Sequence, residues 1–179
     1  MKKIFFVPVI LLAIACNKPG KSPESIELVT VPAKQEALFR NLLTIINSSI
    51  SEQHLNDSLA FLVLPVQAIC PSCRKKTIDS IVKYQDQLAL NHFIIISANA
   101  GRKSITGYFR DRHSGLPVMD NRLFLDSTNQ ADKYDLYDEK PTMYYAYNRK
   151  VYKKVAAIPA TVKQDLQEFF SGYRTDIKE

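Results

Sequence analysis

The sequence lacks a long apolar run, a strong charge imbalance and internal repeats. Its longest apolar stretch, residues 4–15, is shorter than the roughly 20 residues that a membrane-spanning helix needs. The 24 Lys and Arg against 18 Asp and Glu are a mild excess, and the basic segments have no interleaved aromatic side chains, so nucleic acid is not an expected partner. With no repeat or low-complexity block, the chain is expected to form one domain with its own core.

The sequence is also poor in cysteine, with 3 in 179 residues. Cys16 ends the N-terminal apolar stretch, which leaves Cys70 and Cys73 as an even pair. Outside the cytosol no glutathione pool keeps thiols reduced. In that environment a pair at this spacing is oxidised unless a dedicated electron source reduces it.

The N-terminus has the pattern of a signal peptide, because Lys2 and Lys3 precede the apolar stretch. The stretch ends in Leu12-Ala13-Ile14-Ala15-Cys16, which resembles the lipobox of bacterial lipoproteins. This resemblance implies a signal peptide over residues 1–15, a lipid on Cys16 and a tether over 16–24, followed by a folded domain over 25–179. An ordinary secretory signal peptide with an incidental cysteine is the alternative.

The most informative motif is Cys70-Pro71-Ser72-Cys73, which follows an apolar run and precedes a helical pattern. If Cys70 caps the helix and Pro71 is its first residue, Cys73 lies one turn along and faces back toward Cys70. That places the two sulfurs within the short range that a disulfide requires. The motif therefore predicts a dithiol that closes and reopens without refolding the domain.

Apolar patterning elsewhere predicts alternating strands and helices. The expected strands are 26–31, 59–66, 92–97, 123–125, 142–147 and 150–157, and the expected helices are 35–47, the helix from Cys70 onward, 105–110, 131–136 and 161–173. The strands on either side of the cysteine helix are continuously apolar, as in buried parallel sheets. They predict a right-handed β-α-β crossover. The last two strands form a hairpin across Asn148-Arg149.

This order, with Pro141-Thr142 before the hairpin and a helix after it, resembles the thioredoxin fold. The segments that look like the membrane-tethered thioredoxin subfamily serving extracytoplasmic thiols are Leu116-Pro117-Val118, Asp126, residues 131–136, Lys140-Pro141-Thr142 and Arg149-Lys150-Val151. The resemblance covers roughly residues 59–172. It implies an α/β protein with a thioredoxin-like three-layer α/β/α fold around a mixed sheet of four to five strands.

The resemblance also implies the site. Cys70 and Cys73 would be the catalytic pair, with no cofactor besides their disulfide. Cys70 would be the exposed attacker, because a helix N-terminus favours a thiolate, and Cys73 would resolve the mixed disulfide. Pro141 is expected to be a cis-proline beside the disulfide, with Lys140 and Thr142 completing the segment that binds substrate.

The chain departs from the family pattern at several positions. Ile69 stands where a Trp is usual, and Pro71-Ser72 replaces Gly-Pro between the cysteines. The buried acid that helps to deprotonate the resolving cysteine would fall near Leu64, so Asp79 or a nearby Glu is the expected substitute. Lys140 stands at a usually apolar position and is expected to lie close to the sulfurs, where it would stabilise the thiolate.

Three cations, Arg74, Lys75 and Lys76, follow the second cysteine directly. They either lower the pKa of the thiolate and attract acidic partners, or they form an ordinary solvated basic face. The basic segment 102–113 receives no role from the sequence.

A zinc site is a different interpretation of the cysteine pair, which would bind the metal with two of His54, His92 and His113. The histidines lack zinc-finger spacing, so no metal is expected.

Two more interpretations keep the thioredoxin-like fold and change its function. In one the protein is a redox-inert adaptor, since fold does not imply function. In the second it is a thiol peroxidase, although Gln67 stands where the Thr of such enzymes is usual.

The sequence thus predicts a lipid-anchored thiol-disulfide oxidoreductase of the bacterial cell envelope, facing the periplasm or the cell exterior. It is expected to act as a monomer on protein thiols and disulfides, in the reducing direction, with electrons from a membrane donor.

Overall fold

A computed structural model of the chain describes residues 25–112 and 115–172. The predicted signal peptide, the lipidation site Cys16, the tether and His113 lie outside the described residues. Within the described part of the chain, no helix is long and apolar enough to cross a membrane.

Six strands and five α-helices make up the described structure. The strands are β1 (Ile26–Leu28), β2 (Leu59–Pro65), β3 (His92–Ser97), β4 (Leu123–Asp126), β5 (Thr142–Tyr147) and β6 (Lys150–Ala156). The helices are α1 (Pro32–Ile45), α2 (Pro71–Tyr84), α3 (Gly101–Arg110), α4 (Gln130–Lys133) and α5 (Val162–Ser171), with short 3-10 turns at Glu52–His54 and Gln85–Gln87.

The strands form one mixed sheet in the order β1-β6-β5-β2-β3-β4. β2 pairs in parallel with β3 and antiparallel with β5, so the predicted β-α-β unit around the cysteine helix is confirmed. Helices α2, α3 and α5 pack on one face of the sheet, and α1 and α4 pack on the other. The expected thioredoxin-like three-layer architecture is therefore confirmed, with six strands rather than four to five.

The centre of the sheet is apolar on both faces. Every residue of β2 and β3 is buried, which explains their uninterrupted apolar sequences. Because side chains alternate along a strand, Leu62 and Leu64 join the core on the α2 side, while Phe61 and Val63 join the core on the α1 side.

Several helices and strands begin or end at other residues than predicted, because of the local backbone conformation. β1 ends at Leu28, three residues early, and Pro32 begins α1 instead of merely ending the strand. Proline suits a first helical position because the N–H it lacks would have no partner there. α3 is longer than predicted, and α4 ends before Asp135, whose φ of 51° is incompatible with a helix.

The hairpin between β5 and β6 matches its prediction. Asn148 and Arg149 both have positive φ, 50° and 61°, which is the conformation of a two-residue type I′ turn. This turn joins β5 to β6, in whose pairing Thr142 lies opposite Ala156. On its other side β5 pairs with β2, where Thr142 lies opposite Val63.

Candidate active site

The cysteine motif lies where α2 begins, beyond the carboxyl end of β2. Cys70 is the N-cap of α2, and its Sγ accepts a hydrogen bond from the Cys73 N–H at 3.2 Å. Pro71 occupies the start of the helix, as predicted. The cap satisfies one of the backbone donors that every helix N-terminus leaves without an intrahelical partner.

Cys70 and Cys73 form a disulfide, with their Cα atoms 5.3 Å apart. The two cysteines differ in exposure. Cys73 is fully buried in the core beneath α2, whereas Cys70 is only partly buried, with the Ser72 hydroxyl 3.4 Å from its sulfur. A substrate sulfur can therefore approach Cys70, and the helix N-terminus favours the thiolate there once the pair is reduced.

Arg74 holds the loop that carries Cys70. Its guanidinium donates hydrogen bonds to the carbonyl oxygens of Val66 (2.9 Å) and Ala68 (3.5 Å), and it lies 4.6 Å from the centre of the Tyr108 ring of α3. Arg74 is thus engaged by the loop and by α3, which neither sequence interpretation anticipated. Lys75 and Lys76 are exposed, and the Lys76 ammonium donates to the Pro159 carbonyl at 3.4 Å.

The segment around Pro141 lies beside the loop before Cys70. The Ile69 N–H donates to the Glu139 carbonyl at 2.9 Å, and the Ala157 N–H donates to the Pro141 carbonyl at 2.8 Å. Pro141 and Thr142 are buried. The structure therefore brings the predicted substrate-binding segment next to the cysteine loop.

The prediction of a cis peptide bond before Pro141 is wrong. Every peptide bond of the described residues is trans. The trans isomer is the more stable one for most X–Pro bonds, and here the chain turns into β5 through Glu139, whose φ is 55°. The Thr142 hydroxyl donates to the Lys140 carbonyl at 3.0 Å. The influence of the half-buried Lys140 on the sulfurs stays a prediction.

The sequence left open which group replaces the missing buried acid. Leu64 is fully buried in the same apolar cluster as Cys73, so that position offers no proton acceptor. Asp79 is exposed and accepts hydrogen bonds from the Arg112 guanidinium at 2.7 Å on both of its oxygens. Because this ion pair occupies both oxygens on the solvent side of α2, Asp79 is poorly placed to take a proton from Cys73.

Two histidines of the zinc interpretation, His54 and His92, belong to the described residues, and neither lies near the cysteines. His92 begins β3, at the edge of the sheet opposite to the one where Cys70 lies. Its ring is buried, Nδ1 donates to the Phe169 carbonyl at 2.6 Å, and burial lowers its pKa. His54 is exposed and pairs with Asp57 at 2.8 Å. Neither ring can join Cys70 and Cys73 around one metal ion.

A polar network beside the site was missed by sequence reasoning. The buried Asp126 carboxylate accepts hydrogen bonds from the Ser97 hydroxyl (2.8 Å) and from the backbone N–H groups of Gln130 (2.9 Å) and Ala131 (2.8 Å). It thereby caps α4 at the carboxyl edge of the sheet. The detectable signal was an Asp at a strand end, four residues before a helical pattern.

This network borders a polar cavity of about 190 Å³ next to the cysteine loop, lined by Pro65, Gln67, Ala68, Asn99, Asn129, Asp132, Tyr137 and Glu139. The Tyr137 hydroxyl donates to the Asn129 side chain at 3.0 Å. Burial, with the nearby negative charge of Asp132, raises the pKa of Tyr137 to about 12. Tyr137 therefore remains a hydrogen-bond donor at physiological pH.

No protein-family model matches the sequence, and no curated protein is significantly similar to it. Among solved structures, a secreted disulfide oxidoreductase of Mycobacterium tuberculosis homologous to E. coli DsbE is 8% identical, with a TM-score of 0.43, over 69% of this chain and 100% of that one. StoA from Bacillus subtilis is 14% identical, with a TM-score of 0.40, over 63% and 81% of the two chains.

A DsbF homologue from Corynebacterium diphtheriae is 10% identical, with a TM-score of 0.39, over 66% of this chain and 73% of that one. Likenesses this distant assign no activity. The topology and the site of this chain define a thioredoxin-like fold that carries a Cys-x-x-Cys disulfide at a helix N-terminus. The chemistry of the site has to be inferred from the chain's own residues.

Proposed function

We propose that this protein is a lipid-anchored, extracytoplasmic thiol-disulfide oxidoreductase that reduces disulfides in other proteins. The observation that carries the proposal is the unequal burial of the Cys70–Cys73 disulfide: Cys73 is fully buried and Cys70 is only partly so. That asymmetry suits a dithiol with one attacking and one resolving sulfur.

The proposed reaction begins with the reduced pair. The Cys70 thiolate attacks one sulfur of a substrate disulfide, forms a mixed disulfide and releases the first substrate thiol. Cys73 then attacks the Cys70 sulfur, which forms the Cys70–Cys73 disulfide and releases the second substrate thiol. Two electrons and two protons pass from the dithiol to the substrate, and a membrane-bound dithiol donor restores the reduced pair.

The proposed location rests on the N-terminal sequence and on the disulfide. Lipid on Cys16 would hold the domain at the membrane surface, and an extracytoplasmic compartment has no glutathione pool that would keep Cys70 and Cys73 reduced. A dedicated donor is therefore part of the proposal.

The test compares the full chain with Cys70→Ser and Cys73→Ser in reducing a model protein disulfide, with dithiothreitol as the electron source. We expect Cys70→Ser to lose the activity. Cys73→Ser, reduced beforehand and freed of dithiothreitol, should accumulate a mixed disulfide on Cys70, visible as a mass increase. A Cys16→Ser control should keep the activity and leave the membrane fraction. Full activity in both Cys70→Ser and Cys73→Ser would overturn the proposal.

A further inference from the structure

A cationic surface spans α2 and α3 beside the disulfide. We call it the basic surface and define it by four exposed side chains, Lys75, Lys76, Arg102 and Lys103. The sequence from 88 to 110 contains no acidic residue. The single acid of α2 is Asp79, whose charge is offset by its ion pair with Arg112.

The fold places this surface at the disulfide. β2 and β3 are parallel neighbours in register at Pro65 and Ser97, so α2 and α3 both start at the same edge of the sheet. Two contacts join α2 to α3 and to the residues just after it. Arg74 of α2 stacks on Tyr108 of α3, and Asp79 of α2 forms an ion pair with Arg112. The cations near both helix starts therefore lie at the edge of the sheet that carries Cys70, with the Lys76 ammonium directed toward Pro159, before α5.

These cations are not placed where they would stabilise the helices. A helix N-terminus favours acidic side chains, yet neither α2 nor α3 has an acid in its first turn. Arg102 and Lys103 instead occupy the first turn of α3, where positive charge is unfavourable. Because these two cations lower the stability of α3, their placement indicates a role in binding an external partner.

The acidic side chains near the site lie on the other side of the cysteine loop. Asp132 and Glu139 line the polar cavity next to that loop, and Asp138 pairs with Lys154 at 3.1 Å. The surface around Cys70 is therefore positive toward α2 and α3 and mixed toward α4 and the segment before Pro141, where Lys133 and Lys140 stand among the acidic side chains. A charged substrate segment is oriented by this difference as it approaches.

We infer that the substrate disulfide lies next to a cluster of Asp or Glu residues, which docks on the basic surface while Cys70 attacks. This inference names a substrate class for the proposed function and rests on that function. The attraction between the acidic substrate and the basic surface raises the rate at which the two molecules meet, so it speeds formation of the mixed disulfide. It weakens as salt screens the charges.

The experiment uses the pre-reduced full chain and two disulfide-linked peptides of equal length, one with Glu and one with Lys beside the cystine. The second-order rate of peptide thiol release is measured at about 10 mM and about 500 mM ionic strength. At low salt we expect the acidic peptide to react roughly tenfold faster than the basic one, and at high salt we expect the two rates to converge.

The triple variant Lys75→Glu/Lys76→Glu/Arg102→Glu should lose or reverse this preference. Lys83→Glu is the matched control, because Lys83 is an exposed lysine in the last turn of the same helix, away from the disulfide. It should keep the preference of the unmodified chain.

Equal rates for the two peptides, at both ionic strengths, would overturn the inference while leaving the oxidoreductase proposal intact. Binding of the chain to vesicles of anionic lipid, lost in the triple variant, combined with equal peptide rates would also overturn it, because the basic surface would then serve a membrane. Reaction with neither peptide would count against the proposed function itself.

Discussion

At the scale of single residues, His92 shows how a buried titratable group ties stability to pH. Its ring packs against the tilted Phe169 ring at a centroid distance of 4.9 Å, and its Nδ1–H donates to the Phe169 carbonyl. Burial lowers the pKa of His92 below its usual 6.5, an effect that outweighs the opposing hydrogen bond. Burial therefore favours the neutral form of the ring in the folded chain.

The sign of the resulting pH dependence follows from proton binding. Between the lowered pKa and 6.5 the unfolded chain binds more protons at His92 than the folded chain does. We expect the free energy of unfolding to fall as the pH drops below about 6.5. Urea denaturation from about pH 7.5 to about pH 5.5 measures this, and His92→Gln should flatten the slope. An equally steep slope in the variant would assign the effect to other groups.

Arg74 gives a second prediction at the residue scale. Arg74→Ala removes hydrogen bonds to two loop carbonyls and the contact with Tyr108, so we expect it to lower the free energy of unfolding by about 1–3 kcal/mol. Arg74→Lys keeps the charge but loses the planar fork, and it should recover only part of that loss. The exposed Lys75→Ala is the control, expected within about 0.5 kcal/mol of the unmodified chain. If Arg74→Lys had the same free energy of unfolding as the unmodified chain, the positive charge alone would account for the contribution of Arg74.

At the scale of elements, the cysteine helix was predictable because its signals are local. Cys70 caps it, Pro71 starts it and Ile78 and Ile81 mark its buried face, all of which follow from spacing. The cis bond before Pro141 was expected from the family resemblance, whereas the observed trans bond is the isomer that most X–Pro bonds adopt. The partner of Arg74 was not predictable, since Tyr108 belongs to a helix distant in sequence.

The short helix α4 depends on Asp126. We expect Asp126→Ala to destabilise the fold by about 1–3 kcal/mol, because it leaves the Gln130 and Ala131 N–H groups and the Ser97 hydroxyl without this acceptor. Hydrogen exchange should speed up most at the amides of α4. Unchanged exchange there would show that packing of Ala131 against the α1 layer, rather than the cap, holds the helix.

At the scale of the whole molecule, the three-layer order was predictable, because continuous apolar strands and one amphipathic helix between them admit few arrangements. The number of strands in the sheet was less so: apolar patterning predicted six strands, as observed, whereas the family resemblance implied four to five, and the pattern made β1 three residues too long. The basic surface could not be foreseen either, because its residues come from two helices that only the fold brings together.

The whole fold should tolerate opening of the disulfide. Cys70 and Cys73 are 3 positions apart, so their bond closes a very short loop and is expected to contribute only about 2 kcal/mol. We predict that the reduced chain still unfolds cooperatively, at a somewhat lower temperature, when followed by circular dichroism in dithiothreitol. Loss of the cooperative transition would mean that the disulfide is a structural requirement rather than a redox centre.

The most direct test of the central claim is the reduction potential of the Cys70–Cys73 pair. It is measured by equilibrating the full chain with glutathione and dithiothreitol buffers and separating the oxidised and reduced forms. A reductase predicts a value near about −270 mV. A value near about −120 mV would contradict the reducing direction, and the absence of any reversible disulfide would contradict the oxidoreductase itself.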